Sequence, residues 1–285
     1  SDEVVSLHYG ARLPVHDRQI RLAVIGAGNY ARNMLIPAFK KAGASLQSVS
    51  SRHGLSAANA TRQFGFAEAT SNSGIQLASI ADAVVITTRH DSHAELVLAG
   101  LKASKHVFVE KPLCLTFEEL AEIEAFVGEM ASRPILMVGF NRRFAPLVQR
   151  MKTILSNDSV PKSFVYTINA GALPSDHWTK DPDVGGGRII GEACHFIDLL
   201  RFLADCPIKD IVVSKMGGTS DDIATLTLSF VDGSIGTVHY LANGHRSVAK
   251  ERLEVFCDGK ILQLENFRKL KGFGWKDFTS HSSRS

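Results

Sequence analysis

The feature that most constrains this chain is an alternation, starting at Arg21, between short apolar β-branched runs and stretches of helical spacing. The runs are Leu22-Ala23-Val24-Ile25, Leu46-Gln47-Ser48-Val49, Ala83-Val84-Val85-Ile86, His106-Val107-Phe108-Val109 and Ile135-Leu136-Met137-Val138. Helical periodicity fills the intervals near 30–42, 55–64, 92–103 and 116–130. Strands that are apolar on both faces and separated by helices require a parallel sheet covered on both sides. Right-handed crossovers make that sheet doubly wound. Beyond Phe140 the pattern changes. A helix around 146–155, a strand over 164–168, a Gly/Pro-rich loop through Gly187 and a helix about 192–204 precede strands near 223–230, 234–242, 251–257 and 260–266. Asp232-Gly233 and Asp258-Gly259 join these strands in pairs. Asp-Gly marks a hairpin because the favoured two-residue turn needs positive φ at both positions. The expected fold class is therefore α/β. A doubly wound domain spans 19–139, and an α+β domain on a mostly antiparallel sheet spans 140–285. Residues 1–18 read as an arm or linker, and Thr279 to Ser285 as a frayed end.

Gly26-Ala27-Gly28-Asn29-Tyr30-Ala31 follows the first run directly and opens a helix. This is G-x-G-x-x-A, the Rossmann fingerprint with Ala as its third small residue. Gly26 permits the tight turn and Gly28 lets backbone approach a pyrophosphate. The helix start, with Asn29 and Tyr30, offers N–H groups to phosphate. NAD-binding units usually carry Asp or Glu at the end of the second strand. Here that strand ends Ser50-Ser51-Arg52-His53, without a carboxylate. Ser51 and Arg52 suit a 2′-phosphate, which favours NADP slightly over NAD; the plain alternative is a solvated Arg52.

The fourth run ends Glu110-Lys111-Pro112. Ligands of open parallel sheets bind beyond the carboxyl ends of the strands, so Lys111 is a candidate for acting on substrate. Position alone suits a surface ion pair of Glu110 with Lys111 equally well. Cys194 beside His195 invites a nucleophile, but adjacent helix positions diverge. The stripe Ile197, Leu199, Leu200, Phe202 and Leu203 reads as core.

Composition excludes several other classes. The 285 residues carry a formal charge of +3 with no long basic run, which argues against nucleic acid as the partner. Four scattered cysteines form no metal or disulfide pattern, which implies a reduced, cytoplasmic protein with no metal site. No apolar run approaches a membrane span, and no secretion signal is visible.

Together, Gly-x-Gly-Asn-Tyr-Ala, Lys105-His106-Val107-Phe108-Val109-Glu110-Lys111-Pro112, and Gly185-Gly186-Gly187 leading to His195-Phe196-Ile197-Asp198 resemble the Gfo/Idh/MocA oxidoreductase family from about residue 20 to 267. The likeness is greatest to the dehydrogenase half of bacterial two-domain oxidoreductases. Their upstream half is similar to zinc-type alcohol dehydrogenases, and family members usually continue beyond the point matching Ser285. The resemblance implies that Lys111 is the catalytic lysine and His195 the second-domain histidine, with Asp198 one turn on. It places Thr88, His93, Glu110 and Lys111 near the cofactor. His177 and Trp178, in a segment that covers substrate, and Asn141 and Arg143 after the fifth strand would touch substrate; a solvated basic turn is the alternative for the last two. One departure stands out. The family often has Asp four residues before the histidine, where this chain has Gly191; the nearest carboxylate is Glu192.

The implied chemistry is hydride transfer at a secondary hydroxyl of a sugar or nucleotide sugar, as in bacterial polysaccharide metabolism. His195 would take the hydroxyl proton and Lys111 would stabilise the developing alkoxide. Two alternatives stand beside it: a redox-assisted epimerase, lyase or glycosidase that recycles a tightly held cofactor, and a non-catalytic nicotinamide-binding module. A second-domain sheet covered on one face leaves the other to be covered, so a homo-oligomer is expected.

Overall fold

The computed structural model describes residues 19–52, 54–73, 80–130, 134–217 and 222–282. The arm expected over 1–18, His53 and the last three residues lie outside these. The chain divides into two compact units, one up to Val85 and one from Ile86. The division falls earlier than the 139/140 boundary expected from the change of pattern, which instead marks the end of the parallel sheet.

That sheet has six strands: β1 (Arg21–Ile25), β2 (Ser45–Ser50), β3 (Glu68–Thr70), β4 (Ala83–Ile86), β5 (His106–Val109) and β6 (Leu136–Val138), in the order β3-β2-β1-β4-β5-β6. The pairs β1/β2, β2/β3 and β5/β6 are parallel. Ala23, Val24, Val49, Val84, Ile86 and Val109 are sealed from solvent, as strands covered on both faces must be. Sequence pattern missed β3, a three-residue edge strand with no apolar run.

Residues 29–41 form one helix that includes a π turn at Ala31–Leu35 and ends in α1 (Ile36–Lys41). Pro37, in the first turn of α1, lacks the N–H that an unbroken helix would use, which accounts for the shift in register. The remaining helices of this part are α2 (Leu55–Phe64), α3 (His93–Lys102) and α4 (Phe117–Glu129). A capping box formed by Thr116 and Glu119 starts α4.

The second sheet has eight strands in the order β14-β13-β12-β11-β7-β10-β9-β8. These are β7 (Ser163–Asn169), β8 (Ile208–Lys215), β9 (Ala224–Phe230), β10 (Ile235–Leu241), β11 (Glu251–Cys257), β12 (Lys260–Glu265), β13 (Lys269–Phe273) and β14 (Ser280–Ser282). All its pairs are antiparallel except β7 with β10. Three of these strands were not expected: β8, β13 and β14. The expected frayed end is corrected, because Ser280–Ser282 pair with Lys269–Lys271.

The two Asp-Gly turns differ. Asp258 and Gly259 both have positive φ (46° and 72°), the two-residue turn expected. The β9–β10 loop is four residues long, with positive φ at Gly233 but not at Asp232, and is closed by a bond from the Gly233 N–H to the Phe230 carbonyl at 3.1 Å.

Helices α5 (Pro146–Leu155) and α6 (Cys194–Ala204) cover one face of this sheet. Phe196, Leu199, Leu200 and Leu203 of α6 lose almost all exposure there, each burial contributing about 1.5–3 kcal/mol. Gly236 lets α6 approach, since a Cβ on it would lie 3.0 Å from Leu200 Cδ1. Among the described residues no helix is long and apolar enough to cross a membrane.

Candidate active site

Within the first unit, the turn after β1 is built for a ligand. Gly26 has φ of +100°, and its N–H donates to the Ser50 carbonyl at 2.9 Å, tying the turn to β2. The Gly28 carbonyl accepts from the Arg32 N–H at 3.0 Å, which starts the helix. A Cβ on Gly28 would meet nothing within 4 Å, so protein packing does not explain glycine there. Open space above a glycine at a helix start fits a pyrophosphate approaching the backbone. Asn29 accepts a bond from Arg32 at 3.1 Å, and Tyr30 is exposed. The Ser51 hydroxyl caps α2 by accepting from the Ala57 N–H at 3.0 Å, while Arg52 lies exposed on the turn.

The second unit holds the chemistry-bearing groups. Glu110 follows β5, with its N–H on the Ile86 carbonyl at 2.9 Å. Its carboxyl packs against Gly139, where a Cβ would lie 2.6 Å from Oε1. Burial pushes its pKa up to about 7 against the opposing pull of Lys111, and Oε1 is buried without a partner. The Lys111 ammonium donates to the Gly191 carbonyl at 2.7 Å. The Lys111–Pro112 peptide is cis.

His93 is fully buried at the start of α3. In place of the cofactor contact expected of it, Nδ1 meets the Pro112 carbonyl at 2.6 Å and Nε2 faces the Thr88 carbonyl at 3.3 Å. Burial lowers its pKa, so the ring is neutral and its one proton belongs to the shorter contact. It braces the segment carrying Lys111. The Thr88 hydroxyl accepts from Ser92 at 2.8 Å.

His195, on the first turn of α6, is 7% exposed and its Nδ1 is buried without a partner. Burial, then the charges of Arg142, Lys111 and Lys250, drive its pKa down to about 2. The ring is therefore neutral across the physiological range. Neither expected acidic partner reaches it. Asp198 is bound by Arg143, with Nε on Oδ2 at 2.6 Å and a second contact from Nη2 to Oδ1. Glu192 accepts from the Tyr240 hydroxyl at 2.7 Å and from Arg188 Nε at 3.2 Å. The same pair corrects the substrate role of Arg143, whose guanidinium is engaged inside the fold. Asn141 begins the short turn Asn141–Phe144, its N–H on the Gly139 carbonyl at 2.9 Å. Burial pushes the Cys194 thiol up to about 11, which removes the nucleophile.

His177 and Trp178 line an open hollow of about 440 Å³ with Arg89, Lys180 and Asp181. The Arg89 guanidinium lies 5.7 Å from the centre of the Trp178 ring, and His177 stacks on the same indole at 6.1 Å. The hollow presents an aromatic face with basic and acidic side chains around it.

Two residues of this unit have partners that sequence reasoning did not anticipate, His90 and Arg142. His90 Nδ1 meets the Gly185 carbonyl at 2.8 Å, and Arg142 holds Glu251 through two bonds of 3.0 and 2.6 Å. Their partners lie 95 and 109 positions away, so no local spacing marks them.

Residues 20–140 match a family model described as the oxidoreductase family, NAD-binding Rossmann fold, and residues 158–263 match the GFO/IDH/MocA C-terminal domain. The chain is 30% identical over 201 residues to myo-inositol 2-dehydrogenase of Thermotoga maritima, covering 66% of this chain but only 58% of that protein. It is 26% identical over 260 residues to inositol 2-dehydrogenase of Rhizobium meliloti, covering 87% of this chain and 76% of that one. In fold it is similar to levoglucosan dehydrogenase in complex with NADH and levoglucosan. The TM-score is 0.81 at 21% identity, over 93% of this chain and 80% of the other.

Proposed function

Because the chain belongs to the Gfo/Idh/MocA oxidoreductase family, we propose that it is a nicotinamide-dependent dehydrogenase acting on a secondary hydroxyl of a sugar or polyol. The observation that carries this reading is the Lys111 ammonium fixed on a neutral carbonyl in the unit that also holds a buried, neutral His195. An ammonium so held has further N–H groups to offer a substrate oxygen. The family relatives are named for inositols, and a structural neighbour for levoglucosan.

In this reading the backbone at Gly26 and Gly28 receives the pyrophosphate, beside Asn29 and Tyr30. When bound, the nicotinamide supplies the hydride acceptor. Lys111 donates from Nζ to the substrate oxygen and stabilises the negative charge that develops there. His195, uncharged at the outset, takes the hydroxyl proton. Burial and three cations weaken it as a base. Asp198 and Arg143 hold α6, and hence His195, in place. Glu192 does the same from Tyr240 and Arg188. His177 and Trp178 flank the sugar, and Asn141 helps to bind it.

Three finer points belong to the same reading. Arg52 and the absence of a carboxylate favour NADP slightly. Nucleotide sugars remain substrates alongside free sugars and polyols. The functional division follows the sheet, with cofactor residues within 19–139 and substrate residues within 140–285. The reading requires neither the upstream alcohol dehydrogenase-like half nor an oligomer.

The test is a screen of polyols, sugars and UDP- or GDP-sugars with NAD and NADP, following nicotinamide absorbance and product mass together. Stoichiometric cofactor reduction with a product two mass units lighter supports the reading. Product without net cofactor change replaces it with redox-assisted epimerisation or elimination. Cofactor binding with no product from any substrate points to a binding module and overturns it.

A further inference from the structure

We infer that His90 is the positioning residue for Lys111, acting through the backbone at Gly191. The Gly191 carbonyl receives the ammonium at 2.7 Å, so wherever that carbonyl is held, Nζ is held too. Gly191 lies in the π turn Ile189–Ala193 that leads into α6, and it has no room for a side chain. A Cβ on it would stand 2.9 Å from His90 Cε1, 3.2 Å from His90 Nδ1 and 3.2 Å from the Gly185 carbonyl oxygen. The imidazole of His90 therefore occupies the volume that any residue other than glycine would claim at 191.

His90 cannot easily step aside. Its Nδ1 is on the Gly185 carbonyl at 2.8 Å, and its ring packs edge-on against Trp178 with centroids 4.8 Å apart. The next residue, Asp91, donates its N–H to the Val184 carbonyl at 3.1 Å. Gly185 is itself wedged, since a Cβ there would fall 2.4 Å from Thr179 Cα and 2.6 Å from the Trp178 carbonyl oxygen. Trp178, Gly185, His90 and Gly191 thus form a continuous packed wall that ends at the Lys111 ammonium.

Burial holds the His90 pKa near 4, so the ring is neutral and its Nδ1–H donates to Gly185. A charged ring would repel Lys111. This wall gives the missing carboxylate at 191 a physical reason. The ammonium is located by a peptide dipole and not neutralised by an acid, and an imidazole fills the space that an acid would need.

The test compares wild type with Gly191→Ala, His90→Ala and the double variant, reading the acetylation rate of Lys111 by trace labelling and peptide mass mapping. Other lysines in the same digest serve as the reference. Gly191→Ala is expected to raise Lys111 labelling about tenfold, the equivalent of one charge-assisted hydrogen bond. Both substitutions act on the same carbonyl, so the double variant is expected to stay near the larger single effect rather than multiply the two. Where a substrate is turned over, kcat is expected to fall in the variants whose Lys111 labelling rises, while KM for the cofactor stays constant. Unchanged labelling in Gly191→Ala, or a double variant whose effect is the product of the two single effects, overturns the inference. If Gly191→Ala does not fold, His90→Ala decides, with raised labelling expected and unchanged labelling contradicting it. The inference uses the dehydrogenase reading only for its kinetic arm. A wild type that turns over no substrate sinks that reading and leaves the labelling comparison intact.

Discussion

Arg143 and Asp198 clasp one another, the guanidinium presenting two parallel N–H groups to the two carboxylate oxygens inside the second unit. The pair is nearly closed to solvent, with side chains 18% and 6% exposed. Burial raises the Asp198 pKa even against the pull of Arg143. Removing one partner therefore strands a charge. Arg143→Ala is expected to cost about 3–5 kcal/mol of stability, and adding Asp198→Asn should recover part of it. Urea denaturation of the two variants measures this. Equal stability of Arg143→Ala and wild type would show that water reaches the pair.

The roles given to Lys111 and His195 separate in kinetics. Lys111→Met and His195→Ala should each lower kcat by about two to four orders of magnitude while leaving nicotinamide binding intact. Because His195 is held neutral far below the usual imidazole range, oxidation by wild type should show no histidine-like fall in kcat between about pH 8 and 5. A break near 6.5 that disappears in His195→Ala would refute the neutral-ring assignment.

Stability against pH follows from the buried titrating groups. His90 is lowered to about 4, His195 to about 2, and His93 is lowered as well, all chiefly by burial. Their contribution is present above the unfolded value near 6.5 and is lost as pH falls toward the folded values. Glu110, raised to about 7, acts oppositely: its contribution is full below about 4.5 and is lost as pH rises through about 7. Three groups outweigh one, so Tm should drop between about pH 6.5 and 4.5. Glu110→Gln removes the opposing group and should steepen that drop. A flat or rising profile in the variant would contradict the assignment.

Two substitutions test the cofactor turn. Gly28→Val places carbon in the open space above the turn, so folding should be little changed while nicotinamide affinity falls by about tenfold or more. Calorimetry of both quantities separates ligand exclusion from misfolding. Arg52→Ala should shift the NADP to NAD affinity ratio toward NAD by about five- to tenfold. An unchanged ratio removes Arg52 from cofactor choice.

Several elements were legible in the linear chain because the forces behind them are local or periodic. Strand β1 and its turn were visible in Leu22 to Gly28, since two-sided burial demands a continuous apolar run and a phosphate turn demands glycine. Helix α6 was visible in the spacing of Leu199, Leu200 and Leu203. Strands β3 and β14 were not, because each is three residues long and exposed, defined by pairing with a neighbour rather than by its own pattern.

The candidate site divides the same way. The Glu110-Lys111-Pro112 motif and His195 were singled out by the family resemblance; position alone did not supply them. Who holds them was decided in three dimensions. Asp198 turned to Arg143 rather than to His195, Glu192 to Tyr240 and Arg188, and His93 to the Pro112 carbonyl. A buried charge or N–H pairs with whatever partner the packed backbone brings within about 3 Å, and that distance is set by elements far apart in sequence. Gly191 makes the point most directly. In sequence it is a missing acid, and only the packed imidazole of His90 against it shows why nothing larger can stand there.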